Sequence, residues 1–396
     1  MKRINLSFKV GKEGVILALL VGVLCVFAMF TLYSASFYSA NNNFGDSFYY
    51  LKKQGVAMAL GLVVAVVLSF VDPEKMKKAS IPLLALSFVL LGLIFIPALG
   101  VESYGARRWL NLGFMTMQPS EVSKFGLVFF SAFIIDRYKT DAVKGGLPIL
   151  LVGIAMCVLL LLEPNMSVTV LTATLMMTML FAGGVKTRKI AYILLPLIAG
   201  AVALILLEPY RLQRLTAFID PWASPKGEGY QLIQSYYALG SGGWFGTGYL
   251  KGRQKYMFLP FAESDFIFAI VGEEFGFVGS ILLICLYLGI GFTGFKIAAR
   301  AESRYEAVLA YGITSVIVLQ TLINVAVVSG SIPPTGIPLP FMSYGGSSLV
   351  CFLSSVGVLE AIAKRGGKNV FPVKRKIRLP RIEKRKKKVL VGNESN

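Results

Sequence analysis

The sequence predicts an all-α polytopic integral membrane protein with about ten transmembrane helices. Hydrophobic residues make up 55% of the 396-residue chain and charged residues only 15%, and the mean hydropathy is +0.68. This composition excludes a set of water-soluble domains. Apolar runs long enough to cross a bilayer recur along the chain, and basic residues gather in alternate connections between them.

The ten apolar runs justify the individual helices, since a span needs about 20 such residues. They lie at 14–35, 54–71, 80–98, 121–136, 146–162, 166–184, 189–207, 265–295, 306–329 and 346–363. Lys and Arg accumulate in the connections near residues 75–78, 137–144, 186–189 and 296–304, and at both ends of the chain. Basic loops stay in the cytoplasm, so we expect both termini to be cytoplasmic.

Three regions follow from this topology. Residues 1–13 form a cytoplasmic N-terminus, because no small-residue cleavage site follows and the first apolar run is expected to be retained. Residues 14–363 form the membrane domain, with a large extracytoplasmic loop at 208–264 between helices 7 and 8. Residues 364–396 form a basic cytoplasmic tail with thirteen Lys and Arg residues.

The net charge of +19 is concentrated in that tail. A basic segment directly after a membrane helix is typical of contact with anionic lipids. Nucleic-acid binding is disfavoured, because the tail has no aromatic residues beyond Phe371 to stack on bases.

The residue types narrow the possible chemistry. The chain has no histidine, and its four cysteines lie within apolar runs without metal-ligand spacing. We therefore predict no protein-built metal site of the zinc type. Carboxylates, Lys, Arg or Tyr must carry any acid–base chemistry.

The stretch 260–276, PFAESDFIFAIVGEEFG, concentrates acids in an apolar environment. Asp265 lies at the edge of the run, and Glu273 and Glu274 lie inside it. A charge deep in hydrocarbon costs roughly 2.5–3.5 kcal/mol on insertion scales. We interpret Glu273 and Glu274 as members of a structural ion pair, with Lys124 as the expected partner.

Several motifs together resemble the SEDS family (shape, elongation, division and sporulation) of FtsW/RodA/SpoVE-type proteins. The most specific are SDFIFAIVGEEFG at 264–276, PFMSYGGSS at 340–348, and the DPW, GYQ and QS motifs of residues 220–235. The resemblance covers residues 14–365 and is closer to the division and sporulation (FtsW/SpoVE) branch. It implies a peptidoglycan glycosyltransferase that polymerises lipid II at the outer face of the bacterial cytoplasmic membrane.

The resemblance places the catalytic acid at Asp265. The chain departs from the family pattern at Phe261 and Glu263, where Glu and His are common, so a role for that histidine is excluded here. Glycosyl transfer needs a base for the acceptor hydroxyl, which Asp265 can supply. A structural alternative is that Asp265 caps the following helix.

Substrate-binding residues are expected around this acid. Arg107 and Arg108 beside Trp109 can bind a diphosphate, although Arg next to Trp is also an ordinary membrane-interface anchor. The Gly-rich runs could present N–H groups to phosphate, or form tight turns in a re-entrant segment. The full predicted set is Arg107, Arg108, Trp109, Glu121, Lys124, Arg211, Gln231, Gln234, Ser343 and Tyr344.

The resemblance also implies a class B penicillin-binding protein (a monofunctional transpeptidase) as partner. A divalent cation, Mg²⁺ or Mn²⁺, is compatible with a diphosphate leaving group, although the outer carboxylates show no ligand spacing. Two other functions stay open at this stage. One is a lipid II flippase with Glu273, Glu274 and Lys124 along its path, and the other is a non-catalytic division scaffold that uses the basic tail.

Overall fold

The computed structural model describes residues 11–103, 106–111, 113, 116–138, 142–186, 188, 191–192, 195, 200 and 209–366. Most of these residues are helical. Eleven α-helices are described: α1 Lys12–Phe44, α2 Tyr49–Ser69, α3 Pro73–Leu93, α4 Pro119–Arg137, α5 Ala142–Leu162, α6 Met166–Ala182, α7 Pro209–Ile219, α8 Tyr230–Gly242, α9 Ile267–Arg300, α10 Arg304–Val328 and α11 Gly346–Gly366.

Seven of the described helices are long and apolar enough to cross a membrane, namely α1, α2, α3, α5, α9, α10 and α11. Two more of the predicted spans appear as α4, which carries charged residues, and α6, which has 17 residues. The predicted span 189–207 and the basic tail beyond residue 366 lie largely or wholly outside the described residues. The predicted membrane fold is thus confirmed at the level of apolar helices.

Local sequence signals fix several helix ends. Asp72 accepts a hydrogen bond from the N–H of Glu74 at the start of α3, and Ser303 accepts one from the N–H of Glu306 at the start of α10. Both are ordinary N-cap residues. Gly45 ends α1 in the left-handed conformation that favours glycine.

The centre of the protein is formed by α4, α10 and α11, which are buried along most of their length. By contrast, α2 and α3 leave many large apolar side chains on the outer surface, including Val56, Val63 and Val89. Such an exposed apolar surface is expected where helices contact lipid rather than water. The fold therefore has a packed helical centre and a lipid-facing periphery.

One end of the bundle is held by ion pairs between connections distant in sequence. Glu13 pairs with Lys296 and Arg300, and Lys77 pairs with Asp136 at 2.7 Å. Arg365 lies among Asp72, Glu302 and Glu306, at 2.8, 3.5 and 3.5 Å. These contacts bring together the starts of α1, α3 and α10 and the ends of α4, α9 and α11.

A small antiparallel sheet corrects the expectation of an all-α chain. Its strands are β1 Gly100–Ser103, β2 Ala106–Asn111 and β3 Thr116–Met117, in the order β1-β2-β3. Val101 lies opposite Trp109 in the register, and a β-branched residue across from an aromatic one is a favourable cross-strand pair. Cross-strand pairing of this kind has no periodic signature in so short a segment.

Helix α9 is broken at Gly276, which has φ +69° and ψ −166°. The loop 243–248 enters the helical region at this break and hydrogen-bonds to both of its sides. The N–H groups of Thr247 and Gly248 donate to the carbonyls of Glu273 and Glu274, and those of Phe277 and Val278 donate to the carbonyls of Gly243 and Trp244, at 2.9–3.0 Å. Irregular backbone at membrane depth requires this kind of internal pairing.

Glycine is required on both sides of the contact. A Cβ on Gly246 would lie 2.1 Å from the carbonyl oxygen of Glu274, and one on Gly276 would lie 2.3 Å from the nitrogen of Gly246. The predicted outer segment 208–264 therefore includes a loop that packs into the break of α9, in addition to α7 and α8.

Candidate active site

Asp265 lies two residues before α9, on a segment whose backbone is held at three consecutive carbonyls. The carbonyls of residues 263–265 accept hydrogen bonds from Tyr344 N at 2.8 Å, Ser343 Oγ at 2.5 Å and Asn324 Nδ2 at 2.8 Å. Asn324 Nδ2 also donates to the carbonyl of Ile337 at 2.8 Å. The acid is therefore fixed against α10 and against the segment that precedes α11.

This arrangement shows what Ser343 and Tyr344 do in the structure. The Ser343 hydroxyl also accepts a hydrogen bond from Leu339 N at 2.7 Å, and the ring of Tyr344 packs edge-on against Tyr50. Both predicted residues thus help to hold the backbone of the Asp265 segment, Ser343 through its hydroxyl and Tyr344 through its N–H group. Asn324, which sequence reasoning missed, has the same role, and a lone amide in an apolar helix gave no specific signal.

The capping alternative for Asp265 is wrong. Helix α9 begins at Ile267, its N-cap residue is Phe266, and no side-chain capping bond is formed. Residue Asp265 is instead half-buried, and burial acts on its carboxyl group. Gly336 lies beside it with φ +62°, and a Cβ at that position would be 3.2 Å from Oδ2 of Asp265. Glycine thus keeps the space next to the carboxylate open.

The electrostatic surroundings raise the pKa of Asp265 to about 6. Burial is the largest cause, and the neighbouring Glu263 carboxyl raises it further, whereas the Arg108 and Arg214 guanidinium groups lower it. Burial also raises the pKa of Glu263. The site therefore combines two acids of weakened acidity with two cations.

The two predicted arginines of the sheet have different positions. Successive residues of a strand point to opposite faces, so Arg107 and Arg108 cannot both face one group. The charge of Arg108 acts on Asp265, and its Nη2 donates to the carbonyl of Pro164 at 2.5 Å. Arg107 and Trp109 lie on the same strand, half-buried.

Lys124 and Glu121 form a closed buried pair. Lys124 Nζ lies 3.0 Å from Glu121 and 2.6 Å from Gln320 Oε1, and the two charged side chains are 1% and 3% exposed. Ser348 Oγ donates to the second oxygen of Glu121 at 3.0 Å. These contacts join α4, α10 and α11.

The expected pairing of Lys124 with Glu273 or Glu274 is therefore wrong. Lys124 turns to Glu121, three residues away on its own helix, because that side chain lies within its reach on the same face. The partner of Glu274 is Lys255, at 2.6 Å, with both side chains fully buried. Ser34 Oγ donates to both oxygens of Glu274, at 2.6 and 2.8 Å.

Glu273 takes no part in that ion pair within the described part of the chain. Its carboxylate accepts hydrogen bonds from the backbone N–H groups of Arg253, at 2.6 Å, and Gln254, at 3.3 Å. The expectation of a structural role for both acids agrees with these contacts, but only Glu274 is paired with a cation. In the Gly-rich loop 243–248, the N–H groups of Gly246, Thr247 and Gly248 bind other backbone carbonyls, which favours the tight-turn interpretation over phosphate binding by these groups.

The remaining predicted residues are spread around the site. Gln231 Nε2 donates to the carbonyl of Pro260 at 3.3 Å, so it supports the turn before Asp265. Gln234 lies half-buried on the same helix, α8. The side chain of Arg211 lies outside the described residues.

Two further charged residues near the site were absent from the predicted set. Arg214, three residues after Arg211 on α7, acts on Asp265, and its Nε lies 3.5 Å from Glu228. Glu163, in the turn between α5 and α6, lies near Arg108. The sequence placed both on connections expected at the outer face, but only the fold brings the charge of Arg214 to act on Asp265 and that of Arg108 to act on Glu163.

Comparison with known proteins agrees with this architecture. Residues 15–367 match the family FTSW_RODA_SPOVE, described as "Cell cycle protein". The chain is 37% identical over 359 residues to a probable peptidoglycan glycosyltransferase FtsW from Geobacter sp. (strain M18), covering 90% of this chain and 97% of the relative. It is 36% identical over 362 residues to stage V sporulation protein E from Bacillus subtilis (strain 168), covering 91% and 99%.

A solved structure shares the fold. A chain from a peptidoglycan synthase complex, studied for its coordination of polymerization and crosslinking, superposes with a TM-score of 0.73 and 28% identity. The alignment covers 89% of this chain and 98% of that chain. The match over nearly all of the membrane domain, together with full-length relatives above 30% identity, shows that this chain is a multi-pass membrane protein of the FtsW/RodA/SpoVE family.

Proposed function

We propose that this protein is a peptidoglycan glycosyltransferase in which Asp265 is the catalytic base. The activity is the one named in its relatives at 37% and 42% identity. The observation that supports the role of Asp265 is the position of its carboxyl group beside Gly336, where the charges of Arg108 and Arg214 act on it. Lipid II is the proposed substrate, and cell division or sporulation is the process that the names of the relatives indicate.

The reaction follows from these groups. The acceptor hydroxyl oxygen attacks the anomeric carbon of the donor sugar, and the bond from that carbon to the diphosphate breaks. The electron pair leaves on the diphosphate, and Asp265 takes the hydroxyl proton. The configuration at the donor carbon inverts. A base works best when its pKa lies near the operating pH, and a pKa of about 6 is closer to neutrality than that of an ordinary Asp.

Arg108 and Arg214 are the proposed partners of the diphosphate. Guanidinium groups match phosphate oxygens in geometry and keep their charge at all working pH values. This assignment replaces the predicted role of Lys124, whose ammonium group is already bound by Glu121 and Gln320. Lys124 instead fixes the helices that carry the site.

A divalent cation remains part of the proposal. Within the described residues, no group of three or more His, Cys, Asp or Glu side chains is placed to hold a metal ion. Mg²⁺ commonly binds through one or two carboxylates together with substrate phosphates. Glu263 and Asp265 are the acids that could hold it, and it would neutralise charge on the diphosphate.

The proposed topology has ten spans, with both termini in the cytoplasm and Asp265 near the outer surface. The end of the bundle that carries the Glu13, Lys77 and Arg365 ion pairs would then be cytoplasmic. The basic residues of that end support this orientation. A class B penicillin-binding protein is the proposed partner, because the solved structural neighbour belongs to a peptidoglycan synthase complex.

The flippase alternative receives less support from the intramembrane charges. Lys124 is bound by Glu121, and Glu274 is bound by Lys255 and Ser34, all of them buried. Charges that line a transport path need to exchange partners with solvent or cargo, and these are already saturated. The same residues suit an architectural role.

The test is polymerisation of fluorescent lipid II by the purified protein with its transpeptidase partner. Asp265→Asn keeps the side-chain volume but removes the base, and it should lower the rate by roughly 10²–10⁴-fold. Asp46→Asn, at an exposed acid between α1 and α2, is the matched control and should retain the rate. Wild-type polymerisation by Asp265→Asn would refute the assignment, and lipid II scrambling without polymer would favour a flippase.

A further inference from the structure

Two adjacent lysines near the start of α2 have different surroundings. Lys52 pairs with Asp46 at 2.7 Å. Lys53 is exposed and has no carboxylate partner among the described residues. Its Nζ donates to the hydroxyl of Tyr49 at 2.5 Å and lies 4.3 Å from the centre of the Tyr49 ring. An ammonium group has three donor hydrogens, so this contact leaves Lys53 able to bind an anion.

Gln54, the residue after Lys53, joins the start of α2 to the backbone of the candidate active site. Its Nε2 donates to the carbonyl of Ser343 at 3.1 Å, and its Oε1 accepts from the N–H of Gly345 at 3.2 Å. The intervening Tyr344 donates its own N–H to the carbonyl of Glu263 at 2.8 Å. The start of α2 and the segment that carries the catalytic acid are therefore fixed to the same three residues.

A row of tyrosine rings runs from Lys53 to this segment. Tyr49 packs edge-on against Tyr50 with ring centres 5.5 Å apart, and Tyr50 packs edge-on against Tyr344 at 4.8 Å. The charges of Lys53 and Glu263 both act on Tyr344. Lys53 thus belongs to the surroundings of the active site, on its Tyr344 side.

The proposed reaction requires cations in two places. When two lipid II molecules react, each brings a diphosphate and only the donor releases one. The leaving diphosphate is attached to the reacting carbon, so it must lie close to the base. The diphosphate that the acceptor keeps is separated from the reacting hydroxyl by the length of the disaccharide, so it must lie farther away. Arg108 and Arg214 act on Asp265 itself, whereas Lys53 acts on Tyr344.

The depth of Lys53 also matches a diphosphate. Lys53 lies near the outer end of an apolar helix, in a row of tyrosine rings, and such rings typically mark the headgroup level of a membrane. A diphosphate that joins a lipid chain to a sugar lies at that level, whereas the stem peptide extends from the sugar into water. Lysine is a common ligand of phosphate, as a point charge.

We propose that Lys53 binds the diphosphate that the acceptor lipid II keeps, with the Tyr49 hydroxyl orienting the ammonium group. Lys52 has no such role, because Asp46 already neutralises it. The inference rests on the proposed function and adds to it a binding residue for the second substrate.

The experiment measures the polymerisation rate against lipid II concentration, with the transpeptidase partner present. Lys53→Gln removes the charge and should raise KM about tenfold, because a hydrogen bond between charged groups is lost. Its kcat should stay within about twofold of wild type, since the retained diphosphate is bound equally before and during the reaction. Lys52→Gln is the matched control and should leave both constants within about twofold. Equal KM values for the two variants would overturn the inference.

Two further results would also overturn it by assigning Lys53 to another anion. A lower kcat in Lys53→Gln at unchanged KM would place Lys53 on the leaving diphosphate. Lipid II with amidated stem-peptide carboxylates should give the same ratio of KM values between Lys53→Gln and wild type. A ratio near one with this substrate would assign Lys53 to the peptide.

Two more variants keep the test decisive if Lys53→Gln does not fold. Lys53→Arg keeps the charge and should retain most of the affinity for lipid II. Tyr49→Phe removes only the hydroxyl that orients Lys53, and it should raise KM without lowering kcat. An unchanged KM in Tyr49→Phe would contradict the role of that hydroxyl in the site. Absence of polymer in the wild-type protein would instead refute the proposed function itself.

Discussion

Two regions at the start of α9 contain carboxyl groups in contrasting surroundings. Around Glu274, every charge is enclosed: Lys255 and Ser34 bind its carboxylate, and both charged side chains are fully buried. Around Asp265, the backbone is held by hydrogen bonds, and the carboxyl group lies beside Gly336, where the lack of a Cβ leaves space. The comparison indicates that an acid enclosed by an ion pair and hydrogen bonds builds the fold, whereas an acid on a fixed backbone beside open space is available for chemistry.

The largest expected effect on stability concerns the buried ion pair of Lys255 and Glu274. Lys255→Met leaves Glu274 buried without its cation, and it should destabilise the protein by about 3–5 kcal/mol. Thermal unfolding in detergent micelles measures this loss. The double variant with Met at 255 and Leu at 274 removes both charges, and it should recover most of the stability. A single variant that unfolds like wild type would contradict the role of the pair.

The next largest effect on stability is expected at the break of α9 at Gly276. Gly276 has a backbone conformation open essentially to glycine alone, and a Cβ there would meet the loop 243–248. Gly276→Ala should cost about 1–3 kcal/mol from backbone strain, with the steric contact in addition. Gly22→Ala is the matched control, since nothing lies within 4 Å of a Cβ at that helical position. Equal unfolding temperatures for the two variants would show that the break tolerates a side chain.

The sequence was sufficient for the parts of this comparison that depend on local composition. Apolar runs located the described spans, and the resemblance of the SDFIF motif to its family counterpart identified Asp265 as the candidate acid. It could not assign Lys255 to Glu274, because Lys255 lies in a Gly-rich connection whose return into the helical region depends on backbone contacts at Gly276. Lys124 was the only obvious intramembrane cation by sequence, and its nearest acid, Glu121, was available at helical spacing.

The sequence was likewise insufficient to assign the positions of the cations at the site. Arg107 and Arg108 are equivalent in sequence, and only the alternation of side chains along strand β2 separates their positions. The short sheet could not be predicted, because its pairing depends on residues of different strands rather than on a repeating pattern. Arg214 and Glu163 belong to separate connections, so the effect of Arg214 on Asp265 and that of Arg108 on Glu163 are properties of tertiary packing.

The most direct measurement of the central claim is the acid limb of the pH–rate profile for lipid II polymerisation. The ionised form of Asp265 is the active base, so activity should be present above a pKa of about 6 and fall about tenfold per pH unit below it. Arg214→Gln removes a cation that lowers the pKa of Asp265, and it should move this limb to higher pH, whereas Asp46→Asn should leave it in place. A wild-type rate that stays constant down to pH 4.5, or a limb that Arg214→Gln does not move, would contradict the assignment of Asp265 as the base.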